Sequence, residues 1–357
     1  MNVRIIVLIL AGFLLSFGAC STPGLLSEFN MDGFVTADSV PGFQPEERVV
    51  LLGNSLFEND LDHGWLEYGL ITGWAEYQLT VRNLGWSGDT VYGESRGTYT
   101  RPPDSWGHLA GQLEDAEPDI VWIAYGGVEM AEGEAGLERF NSGVNRLLDK
   151  VQELGARVVL ISPLPYLSRR GLYEPEPPAY ENLDLYSRTL SEIAAARQIP
   201  WLDLRTPLRA ASRELEVSDN GIHLNENGYI QLTCLILAGS NRPISPVLQG
   251  KGGFCFRNGD TPHELSGNVS NGSGTGQGSV HAGATGVDDS GSDSLRSLIV
   301  EKNRLYFQYY RPINRTYLTG FRAYEQGNNA PELEQFRELA EELDREIKEY
   351  LKTGFGQ

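Results

Sequence analysis

An α/β fold built on a parallel sheet is the architecture that this 357-residue chain predicts. Two observations carry the prediction. Five short runs rich in Val, Ile and Leu recur through the chain, each with the composition of a strand covered on both faces. Helical spacing of apolar residues fills intervals between them, and such alternation favours a parallel sheet with right-handed crossovers. A third observation places a site on that fold: a serine follows the first run directly, and ligands in open α/β sheets sit at the carboxyl ends of strands.

The first run is 48–52, and Gly53-Asn54-Ser55-Leu56 follows at once. The other runs are 79–84, 119–125, 157–162 and 200–204. Leu137, Phe140, Val144, Leu147, Leu148 and Val151 recur at helical spacing, as do Tyr186, Leu190, Ile193 and Ala194. From 258 the composition shifts to Gly, Ser, Asn and Thr, which reads as a flexible linker or long loop over 258–294. Helical patterning resumes at Leu295 and continues to Tyr310, before Pro312. The closing stretch carries an apolar stripe of Leu333, Phe336, Leu339, Leu343, Ile347 and Tyr350 beneath an acidic face. The expected organisation is a three-layer α/β/α domain over 48–257 with a five-stranded parallel sheet. A helical extension over 295–357 packs on that domain.

The N-terminus reads as a leader. Arg4 precedes an apolar run over 5–17 that is too short to span a bilayer, and Gly18-Ala19-Cys20 follows. The pattern resembles a bacterial lipoprotein signal with Cys20 as the lipidated residue; the alternative is an ordinary secretory signal with an incidental cysteine. Residues 21–47, with Pro23, Pro41 and Pro45, then read as a tether. Export to the cell envelope and lipid anchoring are the expectation.

Composition narrows the partners. The formal net charge of −19 argues against nucleic acid, because a polyanion needs a basic surface. It equally disfavours electrostatic adhesion to anionic lipid, so membrane attachment falls to the acyl chains. Neutral or cationic substrates suit the field better than anionic ones. Cys234 and Cys255 either form a disulfide in an oxidising compartment or are two separate buried thiols. No Cys/His spacing resembles a zinc site, and no metal or organic cofactor is called for.

Ser55, a glycine turn at Asn83-Leu84-Gly85-Trp86-Ser87-Gly88-Asp89-Thr90, and His223 within Asn220-Gly221-Ile222-His223-Leu224 supply a nucleophile, backbone donors and a base. Ser55 could instead only cap a helix, and His223 could be a loop histidine. Together with the Tyr125-Gly126-Gly127 turn and the late Gly228-Tyr229, these segments resemble the SGNH (GDSL-type) hydrolases over about 48–239. The tail, from Arg311-Pro312-Ile313-Asn314 to Gly320-Phe321-Arg322 and over 325–330, resembles a bacterial subgroup. So do His63-Gly64-Trp65 and Gly85-Trp86-Ser87.

The resemblance implies a flavodoxin-like α/β/α fold and hydrolysis of esters, often acetyl groups on carbohydrates. It assigns the nucleophile to Ser55, the base to His223, and oxyanion donors to the N–H groups of Ser55 and Gly85. Two positions depart from the family pattern. Val128 stands where the family has an asparagine donor, and losing one such donor costs about 10²–10³ in turnover. Asn220 stands where the family has the aspartate that orients the histidine; Asp219 beside it, or the backbone carbonyl of 220, are the candidate substitutes. An Asp-to-Asn change there costs about 10⁴ through the wrong imidazole tautomer. Asn54 also replaces a family aspartate. These departures keep a second reading open, a catalytically impaired glycan-binding or scaffolding protein. Asp89 and Glu129 are read as loop-fixing acids, and Trp65, Trp86 and Trp106 as core.

Overall fold

Consecutive residues of the first strand point to opposite layers, and that alternation organises the domain. Val49 and Leu51 join one apolar cluster, whereas Val50 and Leu52 join the other. The computed structural model describes residues 40, 42–97, 103–167, 177–252, 289–312, 322 and 330–354. The leader, Cys20, Cys255, most of the tether and of 258–294, and the tail motifs over 313–321 and 325–329 lie outside those residues.

The strands are β1 (Arg48–Gly53), β2 (Thr80–Asn83), β3 (Ile120–Ala124), β4 (Arg157–Ile161) and β5 (Trp201–Leu202). They form one parallel sheet in the order β2-β1-β3-β4-β5. The described helices are α1 (Ser55–Glu58), α2 (Trp65–Gly73), α3 (Glu94–Gly97), α4 (Ser105–Ala116), α5 (Leu137–Glu153) and α6 (Pro177–Arg197). They continue with α7 (Arg205–Glu214), α8 (Glu226–Gly239), α9 (Pro246–Gly252), α10 (Asp289–Tyr310) and α11 (Ala330–Gly354). One layer is built from α2, α8, α10 and α11, the other from α4, α5 and α6. This is the three-layer α/β/α fold with a helical C-terminal extension that the sequence predicts.

Two elements differ in extent. The fifth run forms a strand of only two residues, because beyond Leu202 the chain leaves the ladder. There the Leu204 N–H donates to the Ser162 hydroxyl instead, at 3.0 Å. Helix α10 begins at Asp289, six residues before Leu295, since its first turns are polar and carry no apolar period.

Chain order reverses around β1, with β2 on one side and β3 on the other. Such a switch point opens a crevice beyond the strand's carboxyl end, where α1 starts with Ser55. On one face of the sheet, helices α2 and α8 pack against each other. They approach closely because a Cβ on Gly69 would overlap Thr233, and one on Gly73 would overlap Leu237. Cys234, buried on α8, is disulfide-bonded.

The extension is joined to the domain by buried charge. Lys302 of α10 is fully buried and pairs with Glu67 of α2. Its ammonium also donates to the Val81 carbonyl at 3.1 Å, and Asp344 of α11 lies 3.5 Å away. Asn303 donates to the second Glu67 oxygen at 3.0 Å. On β2, Arg82 lies 2.7 Å from Asp344, an ion pair without hydrogen-bond alignment, and stacks 4.0 Å over the Tyr306 ring. Four elements, α2, β2, α10 and α11, thereby share one low-dielectric cluster in which each charge has a partner.

Candidate active site

Ser55 and His223 line the same cavity of about 450 Å³, although 168 residues separate them in the chain. Ser55 is placed by β1 and by the start of α1. His223 is carried on the loop before α8. Tyr229 of α8 fixes the two elements together: its buried hydroxyl donates to the Leu56 carbonyl at 2.7 Å. Trp65 Nε1, at the start of α2, donates to Glu226 of α8 at 3.1 Å. Both site side chains are half-buried, and no hydrogen bond joins them within the described residues. A loose nucleophile–base contact is common in unliganded hydrolases.

The His223 loop is held by its own side chains. The Ser218 hydroxyl donates to the His223 carbonyl at 2.5 Å and accepts from the Gly221 N–H at 2.8 Å. Asn220 Oδ1 accepts from the N–H groups of Ile222 (2.9 Å) and His223 (2.8 Å). Those two donors orient the amide, so Nδ2 is the atom that faces the imidazole, 3.2 Å from Nδ1. An amide nitrogen only donates. Nδ1 must then accept, and in the neutral ring the proton sits on Nε2. Base catalysis needs the opposite tautomer, with Nε2 free. Asp219 does not substitute. Its carboxylate accepts from Asn225 Nδ2 at 3.1 Å, and no bond joins it to the ring within the described residues.

The oxyanion side differs from expectation in one residue. Gly85 is not on the cavity; its N–H donates to Asn83 Oδ1 at 2.8 Å, and Asn83 Nδ2 donates to the Phe57 carbonyl at 2.7 Å. A Cβ at Gly85 would overlap the Glu58 backbone, so this glycine serves close packing. Gly88 lines the cavity instead, with a left-handed φ of 74°. Its N–H and that of Ser55 make no hydrogen bond within the described residues. The signal that distinguishes the two glycines was present in the Ser87-Gly88-Asp89 turn, where only glycine holds that φ without strain. Val128 does line the cavity, and its side chain donates nothing.

The Gly88 loop is anchored from below. Asp89 is fully buried, pairs with Arg96 Nε at 2.6 Å, and accepts from the Ser95 N–H at 3.1 Å and the Tyr125 hydroxyl at 3.2 Å. Burial, reinforced by the Asp89 charge, raises the Tyr125 phenol well above its usual range, so it remains a neutral donor. Glu129 accepts from the N–H groups of Val91 (2.9 Å) and Gly126 (2.9 Å) and fixes the turn after β3. Burial raises its carboxyl above the usual range. Both acids therefore hold loops. From the extension, Arg311 pairs with Glu58 at 3.1 Å, Glu58 accepts from the Ser87 N–H, and the guanidinium stacks 4.4 Å over Trp86. Trp65 and Trp86 are core residues; Trp106 is half-buried beneath Arg146. Among the described residues, no group of three His, Cys, Asp or Glu is placed to hold a metal ion.

The family model described as GDSL-like lipase/acylhydrolase matches residues 51–230, from within β1 into α8. The chain belongs to the GDSL-like lipase/acylhydrolase family. That span of the GDSL-like chain contains every cavity residue discussed above. No curated protein matches the sequence. Among solved structures, the GDSL-like chain is similar to a catalytic mutant of an acetylxylan esterase from Geobacillus stearothermophilus. The identity there is 16% with a TM-score of 0.45, over 56% of this chain and 95% of that one. It is also similar to an α/β hydrolase from the metagenome of Lake Arreo, Spain (15%, TM-score 0.44, 56% and 97% covered). A gut microbial diltiazem-metabolizing enzyme is matched at 17% and TM-score 0.45, over 57% of this chain and about half (49%) of that one.

Proposed function

We propose that the protein is a serine ester hydrolase whose pace is set by Asn220. The observation that carries this reading is the meeting of Ser55, His223 and two unengaged backbone N–H groups, those of Ser55 and Gly88, around one cavity. In the reaction Ser55 Oγ bonds to the ester carbonyl carbon, and its proton passes to His223 Nε2. The carbonyl π pair moves to oxygen, where the Ser55 and Gly88 N–H groups receive it. Collapse breaks the bond to the leaving alkoxide, which takes the proton back from Nε2. Water then repeats the sequence, releasing the acid and restoring Ser55.

Each acylation requires the Nδ1–H tautomer, which the Asn220 amide disfavours. Slow turnover is the consequence. Acetyl esters of carbohydrates are the substrate class that the family resemblance implies. The leader pattern ending at Cys20 supports a site of action in the cell envelope, on a lipid anchor.

A stable tetrahedral mimic tests the nucleophile without relying on turnover. Incubation with an aryl fluorophosphonate should phosphonylate one residue, with loss of fluoride, and peptide mass mapping should locate the adduct on Ser55. A well-folded protein that stays unlabelled over a range of phosphonates would remove Ser55 as nucleophile. A second reading, ester or glycan binding without turnover, is favoured by one observation: Asn220 Nδ2 faces Nδ1 and leaves Nε2 as a donor. Under that reading acylated sugars bind and are recovered intact.

A further inference from the structure

We infer that Asn54 supplies the oxyanion donor that Val128 lacks, an assignment that rests on the esterase reading. Asn54 stands at the N-cap of α1, where an asparagine normally accepts from a helix N–H. Here its side chain makes no capping bond. It makes no other side-chain hydrogen bond within the described residues, although it is only 9% exposed. Its amide atoms are not among the water-sealed unsatisfied groups, so the unengaged amide stays open to a ligand in the cavity. It is not sealed in the core, because it lines the cavity beside Ser55.

The direction of the amide matters. Asn54 Nδ2 lies 3.8 Å from the position that a Cβ on Gly127 would occupy, next to Val128 in the turn after β3. The donor end therefore sits on the wall where valine provides none. Together with the Ser55 and Gly88 N–H groups, it brings three donors to the rim of one cavity. A carboxylate at position 54 would place negative charge on the same spot, against the developing oxyanion. The pair Asn54 and Val128 thus relocates one amide donor across the cavity instead of losing it.

The test uses the full chain and a p-nitrophenyl acetate assay. Asn54→Ala should lower kcat by about 10²–10³ with little change in KM, since the donor acts on charge that forms only in the transition state. Asn54→Asp should fall at least as far. Installing Val128→Asn in the Asn54→Ala background should restore a large part of the lost rate, which a folding defect would not permit. Circular dichroism and the unfolding midpoint are read alongside to separate loss of fold from loss of donor. Ser55-dependent turnover that Asn54→Ala leaves intact would overturn the Asn54 assignment alone. So would an Asn54→Ala loss that Val128→Asn fails to rescue in a folded protein. Absence of any Ser55-dependent turnover in the parent would overturn the esterase reading, and this one with it.

Discussion

Asn220→Asp should raise ester turnover by about 10²–10⁴-fold, the reverse of the loss that an aspartate-to-asparagine change produces in a serine triad. The direction follows from one contact. Asn220 presents Nδ2 to His223 Nδ1 at 3.2 Å, held there by two backbone N–H groups on Oδ1. A carboxylate keeps an acceptor for those N–H groups and turns its second oxygen to the ring. Nδ1 then carries the proton, Nε2 is free to receive the Ser55 proton, and the imidazolium formed during acylation gains a counter-charge. The gain should appear in kcat, because the ring acts on the transition state more than on bound ester. Rates of wild type and variant on p-nitrophenyl acetate, with an unchanged circular dichroism spectrum, check it. An equal rate would mean that the ring is oriented by something other than residue 220.

Lys302→Met should destabilise the fold by about 3–5 kcal/mol, the scale of a buried pair that loses one partner. Glu67 and Asp344 would be left in a low-dielectric cluster, with Arg82 and the more exposed Lys348 facing Asp344. The pH dependence has a definite sign. Burial already pushes the Glu67 carboxyl above the usual range, and the Lys302 charge is the largest influence holding it down. Without Lys302 the folded-state value rises further above the unfolded one. Folding then takes up a proton, so this contribution to stability is present at low pH and lost as pH rises through the folded value. The deficit relative to wild type should therefore be smaller near pH 5 than near pH 8 in urea unfolding. Glu67→Gln added to Lys302→Met should recover part of it. A loss below about 1 kcal/mol at pH 8 would show that water reaches the cluster.

The sheet was legible because its strands are short and carry Val, Ile and Leu runs, and β1 could be read together with Ser55. Helices α5 and α11 were legible because each shows apolar residues on one face. Helices α2 and α8 gave no period, since nearly every residue of each is buried. A periodic pattern needs a solvent face to contrast with. Lys302 was illegible for a related reason: a lysine on an acidic, amphipathic extension reads as surface until Glu67 and Asp344 are brought beside it.

In the site, Ser55, His223, Val128 and Asn220 could be placed by motif, and all but Asn220 line the cavity. Gly85 was misplaced because two glycines share one turn, and only the backbone reveals that Asn83 occupies the N–H of the first. Asn54 was visible as a departure from the family pattern, but the sequence could not show that its amide is unengaged beside the cavity.

Turnover of p-nitrophenyl acetate and acetylated sugars by the full chain, beside Ser55→Ala, tests the serine-esterase reading most directly. The parent should hydrolyse slowly but measurably, and Ser55→Ala should fall to the level of the buffer. Hydrolysis that Ser55→Ala retains, or a folded parent inert on both substrate classes, would contradict that reading.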